Sequence, residues 1–190
     1  MVRTVIIATL LLVTTSVSFA KGGINYKHKS IEKTLIKTCK LINPELIEIR
    51  VTGSITGDTT LSGKFFTIKS NNTDSNISHL YIGRVNSCRA GGCSRPDASP
   101  WGESEYFDYM VCYTKTGEVA LVKIFNYQAT HGYEVTAKGW LKQFIGFSSD
   151  DKLEVGHNID SISGATISVN GITADIEDKT AILHKVLNQS

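Results

Sequence analysis

A hydroxyl-rich segment in the last quarter of the chain carries the clearest chemistry in this sequence. Residues 160–168 read Asp-Ser-Ile-Ser-Gly-Ala-Thr-Ile-Ser and precede a predicted helix. The N–H groups at a helix start are unpaired and the helix dipole favours negative charge there, while Gly164 lets the backbone approach a bulky group closely. The segment therefore indicates an anion site. The alternative is that Ser163 or Ser168 simply caps the helix, because serine is a common N-cap residue.

The cysteines are the second group of residues that could do chemistry. There are four, Cys39, Cys88, Cys93 and Cys112, which allow three disulfide pairings. Cys88 and Cys93 flank Arg-Ala-Gly-Gly, and these glycines let the backbone fold back, so a Cys88–Cys93 disulfide is the preferred pairing. Cys39 on a predicted helix and Cys112 in a predicted strand could equally be two buried free thiols. A structural disulfide ranks ahead of a redox-active dithiol, and a metal site ranks third because no second close Cys/His pair is present.

The N-terminal residues predict export, which makes the cysteine count meaningful. Arg3 gives a positive start, residues 5–13 are apolar, and small residues up to Ala20 form a cleavage site. A membrane anchor is disfavoured because the apolar run is shorter than the roughly 20 residues that span a bilayer. We expect a signal peptide over residues 1–20 and an exported protein, periplasmic or otherwise extracytoplasmic, in which disulfides persist.

The elements that must position these residues follow from hydrophobic periodicity. Apolar residues at three- and four-residue steps predict helices, over residues 31–42, 138–147 and 172–187. Alternating and β-branched residues predict strands, over residues 48–52, 64–69, 80–85, 107–113 and 119–125. The last two strands flank Thr116-Gly117 and predict an antiparallel hairpin. The fold class is therefore α+β, a mainly antiparallel sheet with flanking helices.

Composition limits the class of protein further. The 190 residues are 41% hydrophobic, which suits one globular domain over residues 21–190 that begins with a helical extension. Twenty Lys and Arg against eighteen Asp and Glu give a net charge of +2, and no basic run concentrates it. Nucleic acid is therefore not an expected partner.

Two sequence elements resemble the FMN-binding domain family, whose members include the C subunit of the sodium-translocating NADH:quinone reductase and the G subunit of the Rnf complex. Residues 160–166 match the flavinylation motif D-x-x-S-G-A-T at every fixed position. Residues 140–146 resemble the family's W-L-x-Q-F-x-G element, which lies upstream of that motif in the same order. The resemblance covers roughly residues 80–188. Residues 131–135 stand where many relatives have a Glu-Thr-Pro-Gly-x-Gly loop, and this loop is not matched.

The resemblance implies a covalent cofactor. In the family, a separate flavin transferase attaches FMN through its phosphate to the hydroxyl of the motif's last residue, here Thr166. Asp160, Ser163, Gly164 and Ala165 are then the recognition frame around it. The cofactor implied is FMN in a phosphoester bond, and the partners implied are the flavin transferase and redox proteins, including a membrane electron-transport complex.

Flat side chains are the candidates for contact with the isoalloxazine ring. We expect Tyr127, His131, Tyr133 and Trp140 to stack on or rim the ring, with core packing as the alternative, favoured for Trp140. His131 is the best candidate for a hydrogen bond to flavin or phosphate, and His157 could contact the phosphate because it lies close to Asp160 in sequence.

Three functions compete at this point. The leading one is an exported electron-transfer flavoprotein without a substrate or catalytic residues of its own. The second is a flavin-linked reductase in which Cys88 and Cys93 exchange electrons with FMN. The third is a secreted binding module without flavin, in which residues 161–168 are only a capping loop.

Overall fold

The computed structural model describes residues 23–53, 61–72, 75–87 and 105–189. The predicted signal peptide and the predicted Cys88–Cys93 disulfide therefore lie outside the described residues. Within those ranges, no helix has the length and apolar character needed to span a membrane.

The described residues form a five-stranded antiparallel sheet whose strands follow one another in chain order. The strands are β1 (Glu45–Ile49), β2 (Gly63–Lys69), β3 (Ile77–Asn86), β4 (Tyr106–Thr114) and β5 (Val119–Tyr127). The helices are α1 (Lys29–Lys37), α2 (Lys138–Leu141) and α3 (Thr166–Asn188). This architecture confirms the predicted α+β class with a mainly antiparallel sheet and flanking helices.

The β4–β5 hairpin forms where alternation predicted it. Tyr113 pairs with Val119 across a turn in which Gly117 has a φ of 87° and its N–H bonds the Thr114 carbonyl at 3.2 Å. Glycine adopts this left-handed φ without the steric penalty that a Cβ brings. The hairpin sets the register of the sheet edge that lies closest to the candidate site.

Alternation along β4 divides the core between the two faces of the sheet. Phe107, Tyr109, Val111 and Tyr113 lie in the cluster that includes the buried residues of α3. Met110 and Cys112 lie in the second cluster, with the buried residues of α1. The sheet is therefore covered by α3 on one face and by α1 on the other.

Helix α1 is shorter than the periodicity predicted. It ends at Lys37 instead of residue 42, because the chain turns through Lys40 with a φ of 58° and the Leu41 N–H bonds the Leu35 carbonyl at 3.0 Å. Leu41 is nevertheless buried against the sheet, so the apolar spacing continues past the helix end. The first strand is also displaced, since it covers Glu45–Ile49 and not residues 48–52.

Helix α2 begins where predicted and is shorter than predicted. Lys138–Leu141 is α-helical and Lys142–Phe144 continues as a 3-10 turn. The chain leaves this turn through Gly146, whose φ is 88°. Trp140, Leu141 and Phe144 are buried, as their helical spacing indicated.

Helix α3 starts six residues earlier than predicted, at Thr166 instead of Ile172. Its first turns bury Ser168 and Thr173, two polar residues at positions where a hydrophobic pattern has apolar ones. The helix approaches the sheet closely at Gly171: a Cβ there would lie only 2.8 Å from Cγ1 of Val85. Thr166 is thus the first residue of a helix that is packed firmly on the sheet.

Candidate functional site

Thr166 lies exposed at the N-terminus of α3. Ala165 is the N-cap residue, with φ −122°, and within the described residues no side chain caps the helix. Gly164 precedes it with a φ of 79°. The interpretation of the segment as a serine-capped helix start is therefore wrong. An uncapped helix N-terminus keeps its first N–H groups and the positive end of its dipole available to an anion.

Two residues of α2 and its following turn hold the start of the motif in place. The Trp140 indole N–H donates to the Asp160 carbonyl at 2.8 Å. The Gln143 side-chain oxygen accepts from the Asp160 N–H at 2.8 Å, and its amide nitrogen donates to the Trp140 carbonyl at 3.1 Å. Both backbone groups of Asp160 are thus satisfied by side chains, and the two family-like sequence elements form one unit.

Trp140 lies behind the motif. It is 8% exposed and meets Phe144 edge to face, with ring centroids 5.3 Å apart. Its N–H is already bonded to Asp160. Its surroundings are those of a core residue that positions Asp160, and a contact of its ring with flavin stays a prediction.

Ser168, in the first turn of α3, joins the helix to the sheet. It is 2% exposed and its Oγ lies 3.0 Å from Oγ of Ser87, the residue that follows β3. Burial raises the pKa of Tyr127, while a hydrogen bond with Ser168 lowers it and the charges of Glu134 and Glu105 raise it. Tyr127 lies next to this turn of the helix, because its hydroxyl and Oγ of Ser168 both lie beside the position that a Cβ on Gly132 would take, at 3.3 and 3.1 Å.

The turn at Gly132 packs directly against the start of α3. Gly132 has a φ of 84°, and a Cβ there would lie 3.1 Å from Oγ of Ser168 and 3.3 Å from Cβ of Ala165. The Tyr127 hydroxyl donates to the His131 carbonyl and holds the turn from the sheet side. His131 itself is exposed. The absence of a side chain at Gly132 thus lets this turn approach the motif.

Three aromatic rings lead from the core to the surface beside this turn. Phe107 is fully buried and stacks on Tyr127 at a centroid distance of 5.6 Å and an interplanar angle of 11°. Tyr127 meets Tyr133 edge to face at 5.3 Å. Tyr133 is 66% exposed. It therefore offers an exposed aromatic face next to the segment that carries Thr166.

A buried carboxylate lies close to the same region, and the sequence does not predict it. Glu105 is 8% exposed, its Oε1 accepts a hydrogen bond from Thr130, and its carbonyl accepts from the Ser87 N–H at 2.7 Å. Among the described residues, Oε2 of Glu105 has no hydrogen-bond partner. Pairing of β3 with β4 brings Ser87 and Glu105 together from 18 positions apart, and no local motif announces such a contact.

The structure does not bring His157 into this arrangement. His157 lies exposed in the turn between Glu154 and Ile159, and its ring forms no hydrogen bond with the described residues. The side chains of Asp160 and Ser163 are exposed next to Thr166 in the chain. Their role as a recognition frame stays a prediction. In the part of the chain that the structure describes, no cluster of side chains could hold a metal ion.

The geometry agrees with a comparison to protein families. Residues 102–179 match the family model described as the FMN-binding domain. This chain contains an FMN-binding domain. The match includes β4, β5, α2 and the first half of α3, so it covers the site from Glu105 to Ser168. No curated protein matches the chain.

The residues present fit FMN. The uncapped start of α3 suits a phosphate, Gly132 leaves room where a Cβ would crowd Ala165 and Ser168, and Tyr133 offers an exposed ring. The match to the FMN-binding domain supports flavin binding by this protein.

Proposed function

We propose that the FMN of this domain is attached covalently to Thr166 and that the protein is an exported electron-transfer flavoprotein. The observation that carries the proposal is the position of Thr166, exposed at the uncapped first residue of α3 and at the end of the D-x-x-S-G-A-T motif. The hydroxyl that accepts FMN must be reachable by the flavin transferase, and Thr166 is exposed.

Attachment requires an outside enzyme because a threonine hydroxyl is a weak nucleophile. Within the described residues, Thr166 forms no hydrogen bond to a neighbouring base. The flavin transferase would supply the metal and the base. The Thr166 oxygen forms a bond to the FMN phosphorus of FAD, the pyrophosphate bond breaks, AMP leaves and the transferase takes the hydroxyl proton. Thr166 is thus an acceptor and not a catalyst.

The chain's own residues would hold the attached group. The N-terminus of α3 stabilises the remaining negative charge of the phosphodiester by about 0.3–1 kcal/mol. The turn at Gly132 and the small side chain of Ala165 allow close approach, and Tyr133 and His131 are the exposed side chains that can contact the ring. Bound FMN supplies one- and two-electron transfer, and the protein tunes its potential and access.

Export and partners complete the proposal. Residues 1–20 have the composition of a signal peptide, and a covalent bond keeps a soluble cofactor from diffusing away outside the cytoplasm. The partners would be redox proteins that donate and accept electrons, including a membrane electron-transport complex. The periplasm is the proposed compartment.

The test compares Thr166→Ala with Ser161→Ala after coexpression with a flavin transferase. Ser161 is an exposed hydroxyl of the same loop at a variable position of the motif, so Ser161→Ala is the matched control. We expect flavin fluorescence in a denaturing gel for the unaltered protein and for Ser161→Ala, and none for Thr166→Ala. Fluorescence that persists in Thr166→Ala would place the linkage elsewhere, and a dark band for the unaltered protein would exclude covalent flavin.

A further inference from the structure

Cys39 and Cys112 meet on the face of the sheet opposite the flavin site. Their Sγ atoms are 3.8 Å apart, although 73 positions separate the two residues in the chain. Cys112 lies in β4, between Leu80 of β3 and Leu121 of β5, and is 0% exposed. Cys39 is partly exposed and packs against the same apolar cluster.

The turn after α1 fixes the position of Cys39. The N–H groups of Thr38 and Cys39 both bond the Thr34 carbonyl, at 2.9 and 3.0 Å. Two residues later, the Leu41 N–H bonds the Leu35 carbonyl at 3.0 Å, an arrangement that closes a helix C-terminus. Leu35 and Leu41 are each 2% exposed and lie on the sheet, so both sides of Cys39 are anchored. Hydrogen bonds and buried leucines on both sides of Cys39 thus hold its sulfur close to that of Cys112.

We propose that Cys39 and Cys112 form a disulfide in the mature protein and fasten the turn after α1 to the middle of the sheet. A disulfide bond is about 2.0 Å long, so rotation of the two side chains would have to bring the sulfurs closer by a little under 2 Å. The proposal rests on the proposed export, because disulfides persist in extracytoplasmic compartments and are rare in the cytosol. It also completes the pairing of the four cysteines, since Cys88 and Cys93 remain for each other.

The reaction is a thiol–disulfide exchange with an oxidised donor, either a protein disulfide oxidase or a small-molecule disulfide. The hydrogen bond with Cys112 lowers the pKa of the Cys39 thiol, which makes Cys39, the more accessible of the two, the attacking thiolate. The Cys39 sulfur forms a mixed disulfide with the donor, and the Cys112 sulfur then displaces the donor. The two thiol protons and two electrons of the cysteine pair pass to the donor disulfide, which leaves as a dithiol if it is a protein disulfide oxidase or as two thiols if it is a small-molecule disulfide.

The first test isolates the pair in the double variant Cys88→Ser/Cys93→Ser. The protein is exported to the periplasm, incubated with oxidised glutathione, denatured without reductant in the presence of an alkylating agent, and weighed intact. We expect no alkyl groups without reductant and two after reduction, and a non-reducing peptide map should join the peptides that contain Cys39 and Cys112. Two alkyl groups without reductant would overturn the proposal.

A third substitution gives the matched control. Cys39→Ser in the same background should accept one alkyl group with or without reductant. Reductant should lower the thermal unfolding midpoint of the protein that retains the pair by about 5 °C or more and leave that of Cys39→Ser unchanged. An equal midpoint with and without reductant in both proteins would also overturn the proposal.

Flavin fluorescence on the same samples, coexpressed with a flavin transferase, separates this proposal from the proposed function. A missing Cys39–Cys112 bond with flavin attached overturns only the disulfide. An intact bond in a protein without flavin supports the disulfide and removes covalent flavin attachment.

Discussion

Gly132 is the residue on which the approach of the His131–Tyr133 turn to α3 depends. Its φ of 84° suits glycine, and an added Cβ would lie 3.1 Å from Oγ of Ser168. A left-handed conformation costs a residue with a Cβ about 1–2 kcal/mol. We expect Gly132→Ala to lower the free energy of unfolding by about that amount and to reduce flavin loading, measured by urea unfolding and in-gel fluorescence.

Gly139 provides the control for this substitution. It lies in α2, and apart from its chain neighbours and its own helix backbone no atom of the described residues lies within 4 Å of the position that a Cβ would take. Gly139→Ala should leave stability unchanged or raise it by up to about 1 kcal/mol, because alanine favours helix over glycine. Equal effects at the two glycines would contradict the packing of the turn against α3.

Gln143 positions the motif through the Asp160 backbone. Its side chain makes two hydrogen bonds, to the Asp160 N–H at 2.8 Å and to the Trp140 carbonyl at 3.1 Å. Each such bond contributes about 0.5–1.5 kcal/mol. We expect Gln143→Met to destabilise the protein by about 1–3 kcal/mol and to slow flavinylation, measured by a time course with purified transferase. Lys142→Met at the exposed neighbouring position should retain the unaltered rate, and a slowed Lys142→Met would point to a local effect unrelated to Asp160.

At the scale of elements, α3 is fixed to the sheet by a polar contact inside the core. The Tyr109 hydroxyl donates to Asp175 at 2.5 Å. Asp175 also forms an ion pair of 3.0 Å with Lys179, and the Lys179 side chain is 4% exposed. We expect a double-mutant cycle of Tyr109→Phe and Asp175→Ala to give a coupling energy of about 1.5–3 kcal/mol, as for hydrogen bonds to charged groups. Urea unfolding measures it. Glu177→Ala on the same helix should change stability by less than about 0.5 kcal/mol, and a coupling energy near zero would contradict this anchor.

The sequence predicts most of the sheet because its signals there are local. Alternating residues in β4 and β5 and the Thr116-Gly117 turn define the hairpin, and the structure confirms it. The predicted start of α3 is six residues too late, because buried Ser168 interrupts the apolar pattern that marks a helix face. The end of α1 was wrong because Leu41 keeps the apolar spacing beyond Lys37.

The candidate site is predictable to the extent that it lies in contiguous motifs. Residues 160–166 and 140–146 are readable from the sequence, whereas their joining through Gln143 and Asp160 depends on how α2 packs. The contacts of Ser87 with Ser168 and Glu105 depend on strand pairing, and so does the meeting of Cys39 with Cys112. Such long-range contacts have no signal in local periodicity.

At the scale of the whole molecule, the core is rich in buried tyrosines. Tyr81, Tyr109 and Tyr113 are each 0% exposed, and burial is the main cause that raises the pKa of all three above the usual value. The unfolded chain therefore releases these protons at lower pH than the folded protein does. Their contribution to stability is complete below about pH 10 and is lost as the pH rises above it.

This gives an expected pH dependence with a definite sign. Each buried tyrosine should lower the free energy of unfolding by up to about 1.4 kcal/mol per pH unit above about pH 10. Tyr113→Phe removes one titrating hydroxyl and should make the fall in unfolding free energy with pH shallower by about that amount. The substitution should change little else, because only a weak contact of 3.5 Å with Thr180 is lost. Urea unfolding between pH 8 and 11 measures the slopes, and identical slopes for the two proteins would contradict the assignment.

The two faces of the sheet carry the two proposed features of this protein separately, the flavin site and the disulfide. The face covered by α3 carries the residues around Thr166, and the face covered by α1 carries the Cys39–Cys112 pair. The central strands contribute to both clusters, so the flavin site and the proposed disulfide are supported by the same sheet. Changes at the cysteine pair should therefore affect stability without removing the acceptor hydroxyl.

The most direct measurement of the central claim is the intact mass of the mature protein after coexpression with a flavin transferase, followed by peptide mapping. We expect a mass gain of one FMN less one water, carried by the peptide that contains Thr166, and no gain in Thr166→Ala. A mature protein of unmodified mass beside an active transferase, or the same gain in Thr166→Ala, would contradict it.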